Sequence, residues 1–203
     1  TAGNSSPLTD GAAGHHERPP EELRKLRQGE SASAGKVIGA EYVNWDLPDA
    51  HLEATLENRE LVIREIRTFR PDLVLTHRPC DYHPDHRAVG QLVQDASYLV
   101  TVPNVLPEVP PLFNDPVILH MPDLFTRPAP LRPDLVLDVG EQVDSIVAML
   151  ACHRTQAFEW LPYEEGILDQ VPEDENAKLE WLLGWFHGEV AEIAVDNHRI
   201  RIL

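Results

Sequence analysis

The sequence predicts an α/β fold with a mostly parallel sheet, and three observations predict it. The runs "DLVLTH" (72–77) and "DLVLDVG" (134–140) are short and continuously apolar, the pattern of parallel strands covered on both faces. Segments with apolar residues at helical spacing lie between and around them. A dense polar cluster, "RPCDYHPDHRAV" (78–89), follows the first run directly, and open α/β sheets bind ligands beyond the carboxyl ends of their strands.

Taken in order, residues 1–20 are rich in Gly, Ser and Pro and read as loop, and 21–39 read as a helix ending at a glycine. "AEYVNWDLPD" (40–49) reads as strand and turn. Residues 52–69 carry Leu52, Leu56, Val62, Ile63, Ile66 and Phe69 close to helical spacing, and "DLVLTH" follows as a strand. From His86 the chain reads as helix to 100, and the proline-dense stretch 101–133 admits only short strands such as "PVILHM" and long ordered loops. "DLVLDVG" then reads as strand, "EQVDSIVAMLACH" (141–153) as helix, and roughly 174–194 as a closing helix. There are no internal repeats.

A chain of 203 residues, 42% hydrophobic and 25% charged, is sized for one domain, expected here over 1–203. Its net charge of −17 argues against nucleic acid or an anionic membrane as partner, because phosphate binding needs clustered Lys and Arg. A small neutral or cationic ligand is easier to accommodate, and a homo-oligomer is compatible with the sequence. Two cysteines, Cys80 and Cys152, are too few for a disulfide framework and suit a reducing, cytoplasmic setting. No apolar run approaches the roughly 18 residues of a membrane span. The chain opens on Thr1 and not on Met, so coding sequence upstream is expected.

The polar cluster holds two histidines, two aspartates and a cysteine. A closed metal site needs about four ligands and a catalytic one about three plus water, so the stretch is one or two ligands short. His86, at the start of a helix, is held in a fixed direction and suits Zn2+ or another divalent transition metal. His83 can face the same cavity as an acid or an oxyanion stabiliser. Asp85 reads equally as the cap of the following helix and as a group orienting a histidine. Asp81 reads as a turn residue, Cys80 as a weak candidate thiolate ligand, and His77 as either packed or functional. His15 and His16 read as a surface loop that could line the cleft.

"HPDHRAV" (83–89), preceded by "FRPDLVLTHRP" (69–79), resembles the second signature of the LmbE-like, or PIG-L, family of zinc-dependent N-acetylglucosaminyl deacetylases. "TDGAAGHH" (9–16), "RQGESASAGKVIGA" (27–40), "LPDAHL" (47–52) and "ACHRTQ" (151–156) resemble further family elements, so the likeness spans roughly residues 9 to 156. The resemblance implies a Rossmann-like α/β/α domain with His86 as a metal ligand and His83 as the histidine that stabilises the tetrahedral intermediate. It implies that Asp85 pairs with an imidazole, that Arg27 and Asp49 contact the sugar, and that His153 and Gln156 are structural or line the cleft.

One family element is absent. The first signature, P-H-P-D-D or A-H-P-D-D at the end of the first strand, supplies a His ligand, an Asp ligand and the Asp base, and no such string occurs in the sequence. A first strand ending in that motif is therefore expected upstream of Thr1, within about 30 or more residues, the span of a strand, a crossover helix and a second strand. The 203-residue chain by itself is expected to be weakly active or inactive. With that strand, the expected activity is metal-dependent hydrolysis of the N-acetyl group of an N-acetylglucosamine-type sugar or glycoconjugate. Two alternatives stand beside it: another metal hydrolase such as a phosphoesterase, and a non-catalytic sugar-binding relic.

Overall fold

A computed structural model of the chain describes residues 18–123 and 125–197. These fall into two compact units, 43–131 and the combination of 18–42 with 132–197.

In the first unit, helix α2 (Leu56–Phe69) begins where the Thr55 hydroxyl accepts the Asn58 N–H at 3.2 Å, and ends at Arg70 in a left-handed turn with φ 57°. Its buried stripe, Val62, Ile63 and Ile66, meets Leu92, Val93 and Ala96 of helix α3 (Pro84–Leu99), with Val100 and Leu112 closing the core. Both stripes repeat at one and four residues, the spacing that keeps one face of a helix on a core. Strand β1 (Leu73–Thr76) pairs in parallel with β2 (Val117–His120), Leu73 opposite Val117 and Thr76 opposite His120. The α/β class with a parallel sheet is thus as expected, and among the described residues the sheet has two strands.

The continuous apolar run of β1 was expected to be covered on both faces, and it is not: Val74 packs on the core and Thr76 is buried, whereas Leu73 and Leu75 are each 49% exposed. Residues 40–48 were expected to form a strand and form none; 49–50 make the anticipated turn, with Ala50 at φ 60°.

The irregular stretch after α3 is organised by one side chain. Arg67, buried on α2, donates to six backbone carbonyls, those of Leu99, Val100, Val102, Val105, Leu106 and Val109. Burial pulls its basicity down, against the opposing pull of the Glu108 carboxylate. The planar, forked guanidinium can do this because it presents five donors at once.

In the second unit, α1 (Pro20–Val37) starts with proline at its first position and lays Leu23, Arg27, Ser31 and Ala34 along its packed face. That face meets α4 (Val143–Cys152). A π-helical turn (Gln156–Trp160) leads into the short α5 (Leu161–Glu164), and α6 (Glu175–Asn197) completes the unit, Leu182 packing with Val147, Ala157 and Phe158. The "DLVLDVG" run, expected as a strand, forms none, and Leu135 and Leu137 are exposed. Among the described residues no helix is long and apolar enough to cross a membrane.

Candidate metal and acid-base site

The polar cluster lies between the end of β1 and the first turn of α3, so its geometry is set by how closely that helix approaches the strand end. Gly90 permits the approach: a Cβ there would sit 2.6 Å from the His77 carbonyl oxygen and 2.9 Å from the Arg78 carbonyl carbon, closer than any side chain tolerates. On the other side, the Arg78 guanidinium pairs with Asp123 at 3.1 Å and donates to the carbonyls of Phe125 and Ala129. The strand end is further tied by the His120 ring, whose Nδ1 lies 2.9 Å from the His77 carbonyl oxygen.

The turn into α3 uses every residue of "DYHPDH". Pro84 occupies the first helical position, where its missing N–H costs nothing, and His83, extended at φ −86° and ψ 133°, is the cap residue. His83 Nδ1 accepts the Asp85 N–H at 3.3 Å, so a neutral His83 carries its proton on Nε2, the nitrogen facing away from the turn. Asp81 is buried, 3% exposed. Its Oδ1 accepts the His83 N–H at 2.9 Å and lies 3.1 Å from His86 Nδ1. The His77 ring stacks on His86, centroids 3.9 Å apart and planes within 4°, while Tyr82 stands edge-on to both His83 and His86. Burial, and secondarily the neighbouring His86, hold the His77 ring down to about 4, so it is neutral at neutral pH.

His77, Asp81 and His86 each offer one ligand atom, and the three atoms lie within 4.8 Å of one another. Two half-buried imidazoles and a buried carboxylate are a donor set that fits Zn2+ or a related divalent ion.

Several expectations change. Asp85 is not the cap of α3; that position is His83, and Asp85 sits in the first turn. Nor, among the described residues, is it the carboxylate that meets an imidazole. Asp85 is fully buried and accepts the backbone N–H groups of Ala50 at 2.8 Å and Leu52 at 3.2 Å, tying the 49–52 turn to α3. The carboxylate against an imidazole is Asp81, read in the sequence as a turn residue only. Asp49, buried next to Ala50, shares that turn. Cys80 is half-buried, its thiol 3.8 Å from the Arg127 carbonyl, and does not belong to the donor group.

In the second unit, Arg27 is buried and not a solvated surface residue. Glu30, one helical turn from Arg27, accepts both the N–H and the hydroxyl of Thr155, at 2.8 and 2.7 Å. That clamp joins the "RQGE" and "HRTQ" segments, and nothing in the sequence points to it. His153 ends α4, and burial lowers its basicity against the opposing pull of Glu30. His15 and His16 lie outside the described residues.

Residues 6–97 match the family model of PIG-L, described as GlcNAc-PI de-N-acetylase. Among solved structures, the conserved protein TT1542 from Thermus thermophilus is 24% identical with a TM-score of 0.61, over 75% of this chain and 66% of its own. The N,N'-diacetylchitobiose deacetylase from Pyrococcus horikoshii is 21% identical with a TM-score of 0.60, over 76% and 60%. GalB, the 4-carboxy-2-hydroxymuconate hydratase from Pseudomonas putida KT2440, is 22% identical with a TM-score of 0.63, over 76% and 65%. The chain thus spans 60% to 66% of the length of these proteins, which share its fold.

Proposed function

From the match of residues 6–97 to the PIG-L family model we propose that the chain is a metal-dependent amide hydrolase that removes the acetyl group from an N-acetylglucosamine-type sugar or glycoconjugate. The observation that carries the proposal is the grouping of His77, Asp81 and His86 at the end of β1, with the His83 ring 4.8 Å from that of His86.

His86 would hold the ion, with His77 and Asp81 within ligand reach of it. A bound Zn2+ or similar ion would supply Lewis acidity and a water whose pKa falls toward about 7. His83 donates from Nε2 to the amide oxygen as negative charge develops there, because its Nδ1 is committed to the Asp85 N–H. His77, neutral and stacked, keeps the face of His86 that it covers from water without adding charge. Asp85 builds the Asp49 turn, through which Asp49 would meet the sugar. Acetate and a free amine leave. The two free cysteines, Cys80 and Cys152, fit work in a reducing compartment, the cytoplasm.

The test uses the full-length protein. Zinc content is measured on wild type, His86→Ala and His83→Ala, alongside acetate release from N-acetylated sugars and phosphate release from a panel of phosphate esters. His86→Ala should lose bound metal, whereas His83→Ala should retain it and lose about 10²-fold or more in kcat. Equal metal content in the two variants overturns the assignment of His86, and phosphate release without acetate release overturns the reaction.

A further inference from the structure

We infer that Asp81 is a positioning residue for both histidines: one oxygen fixes His86 as the tautomer protonated on Nδ1, leaving Nε2 as the metal-facing nitrogen, and the same oxygen sets the main chain of His83. The inference rests on the metal-dependent reading above and gives one member of the donor group a role other than ligation.

The hydrogen-bond inventory decides the tautomer. Asp81 Oδ1 lies 3.1 Å from His86 Nδ1, and an ionised carboxylate has no proton to give, so Nδ1 is the donor and Nε2 carries the lone pair. Asp81 is 3% exposed, so water competes little for that oxygen. Two neighbours keep the His86 ring from turning away: His77 lies flat against it with planes within 4°, and Tyr82 stands at its edge, 5.5 Å between centroids. Oδ1 also accepts the His83 N–H at 2.9 Å, so the residue that orients the ring also pins the cap of α3. The Asp81 carbonyl is held in turn by Arg87 Nη1 at 2.7 Å, one turn into the helix, so the carboxylate's own backbone is fixed. A carboxylate behind a metal-binding imidazole fixes its tautomer and raises its basicity, and losing such a partner weakens metal binding about 10- to 100-fold.

Because Asp81 is also within ligand reach, the test must separate orienting from ligating. Asn keeps an oxygen that can accept both N–H groups but removes the charge a ligand would supply; Ala removes both. The full-length protein is prepared as wild type, Asp81→Asn, Asp81→Ala and His86→Ala. The His86 ring is read by long-range proton–nitrogen NMR in the metal-free state, and zinc affinity by chelator competition. Wild type and Asp81→Asn should both show His86 protonated on Nδ1, with zinc affinity in Asp81→Asn within about tenfold of wild type. Asp81→Ala should lose that tautomer and bind zinc about 10- to 100-fold more weakly. A His86 ring still protonated on Nδ1 in Asp81→Ala overturns the inference. Zinc loss in Asp81→Asn as complete as in His86→Ala also overturns it and makes Asp81 a ligand. Should Asp81→Ala fail to fold, Asp81→Leu, which fills the volume of the carboxylate and offers no acceptor, takes its place under the same two readouts. Wild type that binds no zinc but shows the Asp81-dependent tautomer overturns the hydrolase reading while the hold of Asp81 on His86 stands.

Discussion

Asp85 offers the sharpest test of how this site is built, because its carboxylate is spent on the backbone. It is fully buried at the start of α3 and accepts two N–H groups of the 50–52 turn, at 2.8 and 3.2 Å. Charge-assisted hydrogen bonds of this kind contribute about 1.5 to 3 kcal/mol each. Asp85→Asn keeps one acceptor oxygen and turns an amide NH2 toward the other donor, so the longer bond, to Leu52, is lost and the bond to Ala50 becomes neutral. Part of the loss is recovered, because Ala50 is held at φ 60°, where a side chain costs about 1 to 2 kcal/mol, and a released turn can relax. The net destabilisation expected is about 2 to 3 kcal/mol, read as a lower urea midpoint with an unchanged slope. Hydrogen exchange localises it: the Ala50 and Leu52 amides should lose protection before the α2 core does. A midpoint shift equivalent to less than about 0.5 kcal/mol, or unchanged exchange at those amides, would mean that Asp85 does not hold the turn and is free for an imidazole.

Arg67→Met should cost about 4 kcal/mol in urea unfolding, because six carbonyls of 99–109 lose their donor, and Arg67→Lys should recover only part, since one ammonium reaches three acceptors. Gly90→Ala should destabilise by about 1 to 3 kcal/mol and lower zinc affinity as well, because its methyl would push the His77–Pro79 backbone from α3 and part the stacked rings. His153 is held neutral, its basicity lowered from 6.5 by burial, with Arg27 adding to the effect and Glu30 opposing it. Above pH 6.5 both folded and unfolded forms are neutral and its contribution is fully present. Below that pH the unfolded chain takes up the proton first and stability falls. The urea midpoint of wild type should therefore drop more steeply than that of His153→Gln as pH is lowered from about 7 to about 5.

What could be read from the sequence divides along a physical line. The α2 and α3 stripes were legible because helical periodicity is local, whereas the α3 start, read at His86, falls two residues after Pro84, whose place at the first helical position went unread. Strands are different, since a strand exists only through its partner. "DLVLTH" and "DLVLDVG" carry the same pattern, yet only the first finds a neighbour, β2, among the described residues. In the site, His83 and His86 stood out by residue type. Asp81 did not, because an aspartate closing a turn onto His83 N–H and one reaching an imidazole five positions on have the same sequence. The Glu30–Thr155 clamp bridges a separation of 125 residues and has no local signature at all.

The four residues of "HPDH" divide the labour in a way that makes each residue type necessary at its place. Pro84 starts the helix without wasting a donor, which sends the chain back along β1 and brings His86 against His77. His83 accepts the Asp85 N–H through Nδ1, so capping the helix and presenting a proton on Nε2 are one act; a serine in its place would cap equally well and present nothing. Asp85 needs two oxygens and full burial to hold a turn 35 residues away from it in sequence, and neither asparagine nor glutamate offers both acceptors at that reach. His86 is one helical turn beyond His83 in the rigid part of α3, where its ring has Asp81 at one nitrogen and the other nitrogen to offer. Substitutions should therefore separate by readout: at Pro84 and Asp85 they act on stability, at His83 on rate with metal retained, and at His86 on metal itself.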